Sequence, residues 1–132
     1  MGAAAVIVDT HVWLWMLVEP GRLSPAARRA VTSSGTDVYV SAASTWEIAI
    51  KHQLGRLQLP EAPASYVPTR ILASGCTALP IEVAHTLRAG DLPPFHRDPF
   101  DRLLVAQAQI LGIPLITSDP ALHRYDIERI DT

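Results

Sequence analysis

The chain has 132 residues, 48% of them hydrophobic and 18% charged, which fits one packed domain and excludes a disordered, highly charged chain. Its net charge is −2, from 11 Lys+Arg against 13 Asp+Glu, so a nucleic-acid grip spread over the whole surface is excluded and any such grip must be local. A single cysteine, Cys76, excludes an internal disulfide and a cysteine-rich zinc site.

In chain order, Ala4–Val8 is a short apolar run rich in β-branched residues, which predicts a buried strand. A helix over His11–Leu17 follows directly. Ser24-Pro25 pairs an N-cap with proline at the first helical position, opening a helix to about Ser33. Asp37–Val40 is the second strand, and Ser41–Leu54 is helical up to Gly55. Leu57–Pro63 is a proline-punctuated loop, and a helix is expected over Ala64–Ala73 despite Pro68. Thr77–Leu79 is the third strand, Ile81–Ala89 a helix stopped by Gly90, and Asp91–Arg97 a loop around Pro93-Pro94. Pro99–Leu111 is the clearest helix, stopped by Gly112 and followed by a fourth strand at Ile113–Thr117. A short helix around Pro120–Arg124 and a last strand at Ile127–Ile130 finish the chain.

This alternation predicts an α/β fold, a three-layer α/β/α sandwich around a mostly parallel sheet, as one domain over residues 1–132. No apolar stretch is long enough to span a bilayer. The first residues lack the basic stretch of a signal peptide, so the cytoplasm is the expected compartment and no membrane contact is expected.

Open α/β sheets carry their sites outside the carboxyl ends of the strands. Asp9 ends the first strand, Asp119 lies two residues past the fourth, Glu47 sits in the helix after the second, and Asp98 and Asp101 open the helix before the fourth. All five map to one sheet edge, where like charges repel unless a cation lies among them. Oxygen-only ligands suit Mg²⁺ or Mn²⁺. Each acid also has a purely structural reading. Asp9, Asp98 and Asp119 can be helix N-caps, Asp101 an acid near a positive helix end, and Glu47 the partner of Ser44 in a capping box. Trp13 shares a helical face with Leu17 and reads as core, as do Leu103, Ala106 and Ile110, whereas Trp15 points elsewhere, toward an interface.

Val8-Asp9-Thr10-His11-Val12-Trp13-Leu14-Trp15, Ser41-Ala42-Ala43-Ser44-Thr45-Trp46-Glu47-Ile48, the block His96-Arg97-Asp98-Pro99-Phe100-Asp101-Arg102 through Ala108, and Thr117-Ser118-Asp119 stand in order along the chain. Together they resemble the PIN-domain family, above all the VapC-type toxins of bacterial toxin–antitoxin pairs. The resemblance implies a metal-dependent endoribonuclease using Mg²⁺, with Mn²⁺ as the alternative. It places the family's four acids on Asp9, Glu47, Asp101 and Asp119, a supporting hydroxyl on Thr117 or Thr10, and an additional acid on Asp98. It also implies a small VapB-type antitoxin as partner, a homodimer, and a tRNA or ribosomal RNA stem-loop as substrate. An acidic edge repels RNA, so Lys51, Arg56, Arg97 and Arg102 are candidates for the RNA backbone. Lys51 can equally be an i,i+4 ion-pair partner of Glu47. His11 and His96, next to motif acids, are expected to make structural hydrogen bonds, with a general-acid role as the alternative. The alternatives are a PIN-type nuclease of RNA processing or a non-catalytic interaction module.

Overall fold

A computed structural model describes residues 4–132; residues 1–3, included in the expected domain, lie outside the described residues. Strand β1 (Ala5–Val8) leads into helix α1 (Thr10–Val18), and α2 (Pro25–Thr32) precedes β2 (Asp37–Ser41). Helices α3 (Ala42–Gln53) and α4 (Pro63–Ala73) follow, then β3 (Thr77–Leu79), α5 (Val83–Asp91) and α6 (Pro99–Leu111). Strand β4 (Leu115–Thr117), a 3₁₀ turn at Pro120–Arg124 and β5 (Arg129–Asp131) complete the order.

The sheet runs β3-β2-β1-β4-β5, and every pairing is parallel. The chain builds outward from β1 through β2 and β3, then crosses to the other side of β1 with β4. That reversal makes a topological switch point between the carboxyl ends of β1 and β4, where open sheets hold their ligands.

Alternate strand residues feed two cores. Val6, Val8 and Ile116 join Val12, Trp13, Ile48 and Val67 on one face. Ile7 and Leu115 join Leu104, Val105, Ala108 and Leu122 on the other. Val6, Ile7, Val8, Leu115 and Ile116 are all fully buried, each contributing roughly 1.5–3 kcal/mol of hydrophobic stabilisation. The two strands that carry the switch point are therefore the most firmly seated part of the sheet.

The structure departs from the sequence reading in informative places. Gly90 does not stop α5; the helix continues to Asp91 and ends at Leu92, which is extended (ψ 149) because a residue before proline, here Pro93, disfavours the helical region. Strand β4 starts at Leu115 rather than Ile113, since the amides of Gly112 and Ile113 both donate to the Ala108 carbonyl at 2.9 and 3.2 Å to close α6. Gly112 serves this cap with φ 65, the left-handed conformation that favours glycine. Strand β5 lies at Arg129–Asp131 rather than Ile127–Ile130, and an unexpected 3₁₀ turn occupies Pro20–Arg22. On α6 the buried band is Leu104–Ala108, while Ile110 is 38% exposed; this helix packs against α3, α5 and β4, so its buried face is broader than a single stripe.

Candidate active site

Asp9 is the first residue past β1 and the N-cap of α1, where its Oδ1 accepts the Val12 amide at 2.8 Å. Its Oδ2 accepts the Thr117 hydroxyl at 2.7 Å and the Ser118 amide at 3.3 Å. These donors come from the end of β4, so the parallel pairing of β1 with β4 itself assembles this corner. Burial pushes the Asp9 carboxyl above its usual range, while the three hydrogen bonds and His11 pull it back.

Thr117 is a pivot. Its hydroxyl donates to Asp9 and accepts the Asp119 amide at 3.0 Å. Asp119 caps the 3₁₀ turn, accepting the Ala121 amide on Oδ1 at 2.9 Å, and presents Oδ2 to His96 Nε2 at 2.8 Å.

Glu47 reaches the same place from α3. Ser41, not Ser44, caps that helix by accepting the Ala43 amide at 3.0 Å. The capping box expected of Ser44 and Glu47 is therefore absent: Ser44 lies inside the helix, and its buried hydroxyl has no hydrogen-bond partner among the described residues. Glu47 is only 3% exposed. Its Oε1 accepts the Thr10 hydroxyl at 2.5 Å, and its Oε2 meets Lys51 Nζ at 2.6 Å.

The N-terminus of α6 supplies the last acids. Asp98 caps the helix, accepting the amides of Phe100 and Asp101 on Oδ1 at 2.8 and 3.3 Å. Asp101 stands one turn in, and its Oδ2 lies 3.0 Å from His96 Nε2. Its carboxyl is raised from 3.8 to about 7 by burial first, then by the charges of Asp98, Asp9 and Glu47, against a lowering by His96.

All five acids line one cleft of about 350 Å³, together with His11, Lys51, His96, Ser118 and Pro120. Two larger concavities, of about 600 and 570 Å³, carry at most one ionisable side chain between them, so the chemistry is concentrated in the smaller one. Carboxylate oxygens from Asp9, Asp101, Asp119 and Glu47, with one carboxyl held reluctant to ionise, fit a hard divalent cation. His96, Asp101 and Asp119 present ligand-type atoms within 4.8 Å of one another.

The candidate RNA-contact cations separate. Lys51 lines the cleft; Arg56, Arg97 and Arg102 do not. Arg56 and Arg97 are exposed on the surface. Arg102 is engaged within the protein, its Nη1 donating to the carbonyls of Pro93 and His96 at 3.1 and 3.2 Å and its Nη2 to those of Ala89 and Leu92 at 2.8 and 3.0 Å. A guanidinium so occupied clamps the segment before α6. Trp13 is fully buried, Trp15 lies under the Arg22 guanidinium at 4.2 Å, and Trp46 is 59% exposed against the edge of Phe100.

Three participants escaped sequence reasoning. Tyr125 hydroxyl takes the His96 amide at 3.0 Å, and nothing in its local pattern marks it. Ser118 contributes a backbone amide, which no side-chain pattern reveals. Gln107 is fully buried and bonds Ser41 and Pro80; a polar residue inside the apolar run Leu103–Ala108 was the available signal.

Comparison with known proteins gives one family model, described as the PIN domain, which matches residues 6–128. Ribonuclease VapC22 of Mycobacterium tuberculosis is 35% identical over 123 residues, covering 91% of this chain and 92% of that protein. Ribonuclease VapC16 of the same organism is 46% identical over 59 residues, a match spanning 45% of this chain and 42% of that protein. Among solved structures, VapBC2 from Rickettsia felis bound to a DNA fragment from their promoter has a similar fold, with TM-score 0.70, 12% identity, and coverage of 96% of this chain and 98% of that one.

Proposed function

This chain belongs to the PIN domain family, and on that premise we propose that it is the toxin of a VapBC-type pair, an endoribonuclease that hydrolyses RNA phosphodiester bonds at the acidic cleft. The observation that carries the reading is the convergence of Asp9, Glu47, Asp101 and Asp119 on one cleft at the β1/β4 switch point, with Asp101 pushed up to about 7 by burial and then by its acidic neighbours. VapC22, similar over nearly the whole chain, and VapC16, similar over 59 residues, are both named ribonucleases.

Asp9, Asp101 and Asp119 would hold Mg²⁺ or Mn²⁺, with Glu47 as a further ligand, direct or through water. When bound, such an ion supplies Lewis-acid activation of water and of the phosphoryl oxygen near neutral pH. The chain's own residues supply placement. Thr117 fixes Asp9 and the start of the Asp119 turn, and Thr10 fixes Glu47. Asp98 holds the first turn of α6 and so sets the height of Asp101. Lys51, beside Glu47 and 38% exposed at its side chain, puts a positive charge at the cleft for the RNA backbone. Arg56 and Arg97, exposed outside the cleft, are the further candidates for backbone contact. The substrate class is a structured RNA, a tRNA or ribosomal RNA stem-loop, and the active form is a homodimer controlled by a small VapB-type antitoxin. No helix among the described residues is long and apolar enough to cross a membrane.

The test is cleavage of a total RNA pool by purified protein freed of any co-purifying partner and stripped with EDTA. Added Mg²⁺ or Mn²⁺ is expected to restore cleavage and to leave 5′-phosphate ends. Equal cleavage with and without EDTA, or none with either metal, contradicts the reading.

A further inference from the structure

Resting on that metal-centre reading, we propose that His96 is a positioning residue, a fixed hydrogen-bond donor that holds Asp119 and Asp101 together, and that Arg102 and Tyr125 exist to hold His96. The backbone of His96 is pinned from both sides. Its amide donates to the Tyr125 hydroxyl at 3.0 Å, and its carbonyl accepts Arg102 Nη1 at 3.2 Å. Tyr125 in turn donates to the Pro93 carbonyl at 2.8 Å, and Arg102 gathers the carbonyls of Ala89, Leu92 and Pro93. Two side chains thus fix the whole turn between α5 and α6, in which proline at positions 93 and 94 leaves no amide for regular pairing.

The ring then has one defined orientation. Nδ1 accepts the Asp98 amide at 3.4 Å, so in the neutral ring the proton sits on Nε2. Nε2 lies 2.8 Å from Asp119 Oδ2 and 3.0 Å from Asp101 Oδ2. One N–H therefore bridges carboxylates delivered by two different elements, α6 and the turn after β4, and offsets their mutual repulsion. The same three residues can be drawn as a His-Asp-Asp ligand set, but a ligating nitrogen offers a lone pair while its partner nitrogen carries a proton toward an acceptor. Here the partner nitrogen faces a donor, which favours His96 as donor over His96 as ligand.

Calorimetric titration of EDTA-stripped protein with Mn²⁺, beside a circular-dichroism melt of each variant, tests this. His96→Ala is expected to raise the Mn²⁺ Kd about tenfold or more, the range of lost outer-sphere partners, whereas His96→Gln, which keeps an N–H donor, stays within about threefold. Tyr125→Phe, which removes only the hydroxyl, shifts Kd in the same direction by a smaller factor. An unchanged Kd in His96→Ala overturns the positioning role. Equal losses in His96→Gln and His96→Ala make the nitrogen a ligand and overturn the donor role. Should the His96 variants fail to fold, Tyr125→Phe decides: an unchanged Kd overturns the proposal. Asp119→Asn separates the two readings. If it binds Mn²⁺ like the wild type, the metal centre itself is misplaced; if it loses binding while His96→Ala does not, only the role of His96 falls.

Discussion

The two ends of the cleft handle negative charge in opposite ways. At the β1/β4 end, Asp9 is 3% exposed, yet both its oxygens accept protein donors, from Val12, Thr117 and Ser118. At the α6 end, Asp101 faces three other carboxylates, with His96 as the one group lowering its pKa, and its carboxyl sits at about 7. The first end is completed by folding. The second is left short of positive charge, which is what a site needs if a cation is to bind with useful free energy.

The sharpest way to break this comparison is Asp101→Asn. It is expected to lower metal-dependent RNA cleavage by more than about a hundredfold, exceeding the cost of losing an outer-sphere partner. In metal-free protein the same change is expected to raise the melting temperature at pH 8. The sign follows from linkage. The folded carboxyl stays protonated up to about 7 and the unfolded one only to 3.8, so the native state binds more protons between those values and stability falls as pH rises through that window. Melts of metal-free wild type at pH 5 and pH 8 check this directly: higher stability at pH 5 is expected, and Mn²⁺ should shrink the difference. A cleavage loss without the gain in metal-free stability would sever the link between the two properties.

Thr117→Val probes the other end and carries the next largest effect. It takes a donor from Asp9 Oδ2 and leaves the Asp119 amide N–H without its acceptor, so urea unfolding should show a loss of about 1–3 kcal/mol. Here stability and Mn²⁺ affinity fall together, unlike Asp101→Asn. Lys51→Met gives the smallest change. An i,i+4 pair whose lysine side chain is 38% exposed contributes at most about 0.5 kcal/mol. Its signature is instead the salt dependence of RNA binding, whose log–log slope should drop by about one.

The fold was largely legible because its signals are local: apolar runs for β1, β2 and β4, Ser24-Pro25 and Asp98-Pro99 for helix starts, Gly112 for a helix end. The boundaries that moved were set by neighbours, as where Pro93 rather than Gly90 ended α5. At the site, the capping and site readings of Asp9, Asp98 and Asp119 turned out not to compete, because each caps a helical turn whose start lies at the cleft. Glu47 lines the cleft, where its place on the sheet edge predicted it, although the capping box with Ser44 is absent. The charge of Arg102 was legible but its partners were not, since five groups at irregular separations of 6 to 23 residues engage it, Tyr125 among them. Tertiary closure of a loop leaves no spacing to read.

The most direct test of the metal-dependent nuclease is Asp9→Asn, which keeps the shape of the side chain and removes one charge from the cleft. With Mn²⁺ present and folding confirmed by circular dichroism, wild-type protein is predicted to cut the RNA pool and the variant to leave it intact. Cleavage by the variant at the wild-type rate would contradict the assignment of this cleft as the catalytic centre.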